Sequence, residues 1–294
     1  MTRSCAALAA VIGSCCWISA ISKVDAADFG NPERVTIQGY NGDAMEPFVT
    51  PDGRYLLFNN SNDPKVDTNL HFAERIDDTH FAYRGEIEGA NSPKLDAVPT
   101  VDASGTLYFV STRSYDETLS TIYRAHFAEG KIDSPQIVEG VSLNTRGQVN
   151  FDVGVSRDGL LLIAVDGTFS GGGVPDAADL VLLNRSGDRF LRYPDSQKIF
   201  ATVNTEALEY APALSADGLD LYFTRFAPSW LIFLSDPPAI FVAHRNDTHE
   251  PFGMPERIAA IQGFVEAPSL SPDERSLYFH KKGETRFEIW RVTR

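Results

Sequence analysis

Five acidic residues recur in a repeated pattern, at offsets that differ from copy to copy: Glu46 (with Asp43 just before it), Asp96, Asp152, Glu209 and Glu266. Each stands at or just before a short apolar run. At the end of the next apolar run sit Asn60, Arg113, Asp166, Arg225 and the cluster His280, Lys281 and Lys282. If the fold brings both ends to one face, that face gathers acids, arginines and a histidine. Such a face can bind a sugar, a peptide end or a cation. Two carboxylates about 5–10 Å apart would also serve glycoside hydrolysis, and Glu46, Asp152 and Glu209 are the candidates for it. The competing reading is structural: acid and arginine pair between adjacent repeats and hold them together. The acids, Arg113 and Arg225 belong to the repeat itself, which favours the structural reading.

Other chemistry is thinner. The six histidines show no metal-ligand spacing, and surface positions are expected for them. No serine sits in a nucleophile-elbow pattern. Ser170-Gly171-Gly172-Gly173 lacks the lysine of a phosphate loop, and Asp63, Asp67 and the nearby asparagines miss the calcium-loop template. No metal and no cofactor is expected. The stretch 226–241 (FAPSWLIFLSDPPAIF) is apolar for a loop. It is expected as a buried insert over the acids or, failing that, as an exposed contact surface with Trp230 at its centre. The candidate ligand-binding set is therefore Glu46, Asp96, Arg113, Asp152, Glu209, Arg225, Trp230, Glu266 and His280.

The elements that must position these residues are five copies of one hairpin: 46–58 (EPFVTPDGRYLLF), 96–113, 152–165, 209–225 (EYAPALSADGLDLYFTR) and 266–281. The turns carry Asp52-Gly53, Asp158-Gly159 and Asp217-Gly218, where glycine accepts positive φ and aspartate bonds its own backbone. An alternating run follows each hairpin, at 70–75, 122–127, 180–185, 240–245 and 289–294, as half-buried strands alternate. A fourth strand is expected at 85–89, 135–141, 197–203 and 254–263. The proline-equivalent positions Pro47, Pro99, Val153, Pro212 and Pro268 are 52, 54, 59 and 56 residues apart. Four strands at that period are the mark of a propeller blade. The 26 residues after Pro268 supply only three strands of the last blade. A strand at 34–39 is expected to complete it and close the ring. The fold class is all-β: a five-bladed β-propeller of four-stranded antiparallel blades, with six blades as the alternative.

Residues 1–26 read as a secretory signal peptide: a basic start, an apolar stretch interrupted by serines, and small residues before Ala27. Residues 27–294 then form a single propeller domain, periplasmic or secreted, with no transmembrane segment. Gly13-Ser14-Cys15 also resembles a lipobox, which would make the protein a lipoprotein anchored through Cys15. All three cysteines lie in the leader, so the mature chain has no disulfide. Its balance becomes 24 basic against 39 acidic residues, a net charge of −15. Such a surface repels phosphate backbones and excludes nucleic acid as a partner.

The motif acid-x-x-Pro-x-x-Ser-x-Asp-Gly-x-x-Leu-Tyr-Phe resembles the WD-like propeller repeat of the TolB type. Residues 209–225 match it almost throughout. Residues 266–281 have Glu274 for the glycine, 46–58 have Thr50 for the serine, 96–113 have Ser104 for the turn aspartate, and 152–165 lose the proline and the aromatic pair. The resemblance covers the whole mature chain and implies an exported propeller. It implies little about function, because function lies in sites grafted on the fold. The expectation is a cell-envelope binding module for a protein or glycan ligand through its channel-mouth face. The alternative is a carbohydrate-active hydrolase or lyase using the channel-rim carboxylates.

Overall fold

The computed structural model describes residues 26–229 and 235–294. The chain is an all-β propeller. Blade one is Met45–Val49, Tyr55–Asn59, Leu70–Arg75 and His80–Glu86, in order from the centre outward. Blade two is Asp96–Val101, Thr106–Ser111 and Ile122–Ala128, edged by Lys131–Ile132 and Gln136–Ile137. Blade three is Gln148–Val155, Leu161–Thr168, Ala177–Ser186 and Arg189–Arg192; blade four is Leu208–Leu214, Asp220–Phe226, Ala239–His244 and Glu256–Arg257. Blade five is Val265–Leu270, Ser276–Lys282, Phe287–Thr293 and, from the other end of the chain, Gly30–Arg34. The five inner strands ring a central channel.

The closing strand differs from the one expected. Gly30–Arg34 pairs antiparallel with Phe287–Thr293, whereas Thr36–Gln38 runs parallel to His80–Glu86 of blade one. One short segment thus staples blade five to blade one. A second correction falls in blade three, where 197–203 is not a strand: Ser196–Ile199 is a helical turn and Arg189–Arg192 is the outer strand.

Local chemistry sets the hairpins. A hydroxyl two residues before the turn aspartate bonds it at 2.6 Å in four blades: Thr50 to Asp52, Ser156 to Asp158, Ser215 to Asp217 and Ser271 to Asp273. The same carboxylates accept the N–H of Arg54, Leu160, Leu219 and Arg275. Gly218 follows at φ +72°, a region closed to most side chains by the Cβ. The second strands are apolar on both faces because blades stack on both sides. Leu56 to Phe58, Leu107 to Phe109, Leu221 to Phe223 and Leu277 to Phe279 are all at most 2% exposed.

Each inner strand carries a β-bulge at its proline-equivalent position. In four of them the residue before the proline has positive φ: Glu46, Val98, Ala211 and Ala267. Such a residue costs about 1–3 kcal/mol and persists only where its surroundings hold it. Here the neighbouring blade holds it. The freed N–H of Val98 donates to Asn59 Oδ1 (3.0 Å), that of Ala267 to Thr224 Oγ1 (3.1 Å) and that of Glu46 to His280 Nδ1 (3.1 Å). Asn59, Thr224 and His280 occupy one repeat position, directly after the buried second-strand phenylalanine. Val110 and Val165 stand there in blades two and three, and their side chains have no acceptor to offer.

Candidate functional site

The five recurrent acids separate into two groups. Asp96 and Glu209 are wholly buried, each against an arginine: Arg113 to Asp96 at 2.6 Å and Arg225 to Glu209 at 2.6 Å. Ser92 and Thr205 bond the same carboxylates through both N–H and hydroxyl. The arginines also reach the connector leading into their own blade, at Ala90 O and at Val203 O. Blade three reverses the arrangement: Arg192 clasps Asp166 with two bonds (2.7 and 2.9 Å) and donates to Val141 O. These pairs lie within one blade and fasten its connector, so the expected pairing between adjacent blades is corrected. Glu209, Asp96, Arg113 and Arg225 are committed to these pairs. Asp96 and Glu209 have no exposed surface to offer a ligand, nor Glu209 to offer a substrate as a catalytic carboxylate, whereas the Arg113 and Arg225 side chains keep 20% of theirs.

Asp152 is also engaged. Val153 stands where other blades have proline, so an extra N–H exists there. Asp152 Oδ1 accepts it at 3.1 Å, and Oδ2 accepts the bulge N–H of Ala211 in blade four at 3.0 Å. Asp152 thereby supplies the acceptor that Val165 lacks. Burial raises its pKa to about 8 against the pull of the two N–H donors.

The remaining acids come together. His280, with no exposed surface, donates from Nε2 to Glu266 at 3.0 Å, and its Nδ1 lies 3.9 Å from the Glu46 carboxylate. The Glu46 N–H facing Nδ1 fixes a neutral ring with its proton on Nε2, although carboxylates on both sides favour the charged form. Tyr210 donates its hydroxyl to the other oxygen of Glu266, and Asn62 donates to Glu46 at 2.7 Å. No arginine or lysine pairs with Glu46 or Glu266 among the described residues. Burial raises the Glu46 pKa to about 8, with the Asp152 and Glu266 charges adding to it, so it keeps its proton at neutral pH.

Half-buried aromatic rings extend from this cluster in both directions. Tyr210 lies 6.2 Å from Phe151, and Phe151 lies 5.7 Å from Phe169. On the other side His280 meets Phe287 edge-on at 5.4 Å, and Phe287 meets Phe264 at 5.9 Å. The result is one unbroken arc over blades three to five: Phe169, Phe151, Tyr210, Glu266, His280, Phe287 and Phe264. All its members but His280 are partly exposed. A Cβ on Gly167 would come within 2.5 Å of the Phe151 ring, so glycine there seats that ring.

The channel beneath is narrow, about 110 Å³, below the 300–1,000 Å³ of usual ligand pockets. Pro47, Pro99, Pro212 and Pro268 line it. Across its turn-side end Arg157 of blade three donates to Pro272 O of blade five at 3.1 Å.

Of the candidate residues, the structure unites Glu46, Glu266 and His280. Trp230 lies outside the described residues. His71, expected at the surface, is buried against the Phe58 ring, as His280 is buried among the acids. Tyr210 and the four phenylalanines carry no mark in the repeat pattern that singles them out. The signal for Tyr210 is its register: counted from the bulge it falls at the position of Glu266. Among the described residues no group of His, Cys, Asp or Glu is disposed to hold a metal ion.

No protein-family model matches the chain, and no curated protein matches it. Solved structures do resemble it. A glycoside hydrolase superposes with a TM-score of 0.59 at 9% identity, over 88% of this chain and 89% of that one. Native Bacillus subtilis arabinanase Arb43A gives 0.56 at 12% identity, over 90% and 96%. Zg3597, a family 117 glycoside hydrolase from Zobellia galactanivorans, gives 0.52 at 11% identity, over 92% and 91%. At these identities the likeness establishes the propeller fold alone.

Proposed function

We propose that this chain is an exported binding module that holds a glycan across the mouth of its channel. The observation that carries this reading is the arc of half-exposed rings running without a break through Glu266 and His280. Aromatic faces match the apolar C–H faces of sugar rings. Glu266 and the Asn62 amide beside Glu46 supply the few polar groups that orient a ligand. A channel of about 110 Å³, too small for a sugar ligand, supports a site on the mouth rather than inside. The neighbours named as glycoside hydrolases and an arabinanase act on glycans by those names, and this is consistent with the reading without carrying it. Screening a glycan array and then titrating the best ligand by calorimetry tests it. Phe287→Ala and Phe151→Ala should each weaken binding about tenfold while the melting temperature holds. Unchanged affinity in both variants would refute the assigned surface. Export is part of the same proposal, and fractionation of cells expressing the full chain checks it.

One observation favours a second reading, glycoside hydrolysis. Glu46 lacks a cationic partner and retains a proton at neutral pH, as a general acid must, and Glu266 lies across His280 from it. In that reading Glu46 protonates the leaving oxygen and Glu266 activates water. Product release from any screened glycan, abolished by Glu46→Gln, would favour it over simple binding.

A further inference from the structure

A cavity of about 290 Å³ lies where the closing segment crosses blade five. Arg34, Tyr40 and Asn41 line one side, and Arg286, Phe287 and Glu288 the other. Phe287 is also a member of the aromatic arc, so cavity and arc share a wall. The volume is near the lower bound for small-ligand pockets and well above that of the channel.

Two arginines and one glutamate line it, and Asp43 stands behind the wall, accepting the Phe287 N–H at 2.6 Å. Arg34 Nη1 (3.2 Å) and Arg286 Nε (3.6 Å) share a single oxygen of Glu288. Two guanidinium groups thus divide one carboxylate oxygen, which leaves donors over. Arg34 is 54% exposed and Arg286 35%, so both can turn toward a ligand. Lys282 lies over the Phe264 ring at 5.8 Å, in the arc beside Phe287, and adds positive charge at the same end. The pocket thus offers two arginines with donors to spare beside the Phe287 and Tyr40 rings.

We propose that this seam pocket is a subsite for a carboxylate-bearing sugar, a uronic acid unit of the glycan that lies on the arc. The inference rests on the glycan reading above. The sugar carboxylate meets Arg286 and Arg34, which bind planar carboxylates in a two-pronged fashion. Phe287 takes the sugar face.

The probes are galacturonate, glucuronate and mannuronate oligosaccharides, each paired with the same oligosaccharide after reduction of its carboxyl groups. Calorimetry on the full folded chain should show at least one acidic oligosaccharide binding about tenfold more tightly than its reduced partner. That preference should fall as salt rises. Arg286→Gln should remove the preference and leave affinity for the reduced form unchanged. Arg34→Gln, which spares the Arg286 bond to Asn41 O (2.9 Å), should reduce it in part. Equal affinity for acidic and reduced forms, or a preference surviving both variants, would overturn the subsite and leave glycan binding at the mouth intact. No binding to any oligosaccharide in the array would overturn both.

Discussion

His280 stands between Glu46 and Glu266, taking the backbone N–H of one at 3.1 Å and giving its own Nε2–H to the other at 3.0 Å. One ring therefore caps the bulge of blade one and orients the acid of blade five. Replacing it with phenylalanine leaves the buried Glu46 N–H without an acceptor and the partly exposed Glu266 carboxylate without one of its two donors. At about 1–3 kcal/mol for each unsatisfied group, His280→Phe should cost about 2–5 kcal/mol in chemical denaturation. His280→Asn should recover much of that loss, because Asn59 performs the capping half of the task one blade on. Equal losses in the two variants would refute the capping role.

Glu46 gives stability a pH dependence. In the fold it holds a proton up to about pH 8, whereas its ordinary value is 4.5. The contribution is complete below pH 4.5 and fades as pH rises through 8, since over that window the unfolded chain releases a proton that the fold retains. Asp152, raised from 3.8 to about 8, acts in the same direction. The melting temperature should decline across this range, and Glu46→Gln should flatten the decline. Parallel curves for the two proteins would contradict the assignment.

Asp152 should tolerate amidation less well than Glu46 does. Above pH 8, where Asp152 is ionised, both its oxygens accept N–H groups, so Asp152→Asn sets an amide donor against one of them and should cost about 1–3 kcal/mol there. Adding Val153→Pro removes one of the two N–H groups and should restore part of the loss. A double variant no more stable than the single would show that the Val153 N–H is not what Asp152 answers.

The arginine pairs should behave as internal fasteners. Arg225→Met strands Glu209, which has no exposed surface, and should cost about 3–5 kcal/mol. Arg225→Met combined with Glu209→Met should regain most of it, since an apolar pair of similar volume can replace a buried ion pair. Glycan affinity in the double variant should match the parent, which separates this pair from the binding face.

The fold was legible because three hairpins carry the hydroxyl-x-Asp-Gly turn at residues 50–53, 156–159 and 215–218, the other two depart from it at one or two positions, and all five run into an apolar second strand. The closing strand was displaced because Gly30–Arg34 reads as a loop: it carries Pro32, it is mostly exposed, and Asn31 has positive φ. An outermost strand tolerates all three. The arginine pairs could be read from matching slots in the repeat. The Glu46, His280 and Glu266 cluster could not, because a bulge adds one residue and turns the side chains that flank it. Acids one position apart in the sequence pattern then converge, whereas acids that look equivalent diverge. The aromatic arc was hidden for another reason. Its aromatic members come from two strand interiors, one strand end and two loops, and no spacing links them.

The strand that completes blade five is the first of the described chain, and its partner is the last. Blade five cannot be finished until 287–293 exists, so from the time of synthesis the chain must carry Gly30–Arg34 unpaired through four blades of growth. Until then Thr36–Gln38 can already lie on blade one, holding the waiting strand near the gap it will fill. The ring is thus a structure with a late final step, and a chain lacking its last strand would be left open at one seam. Under the export proposed above, such an order defers closure to the far side of the membrane.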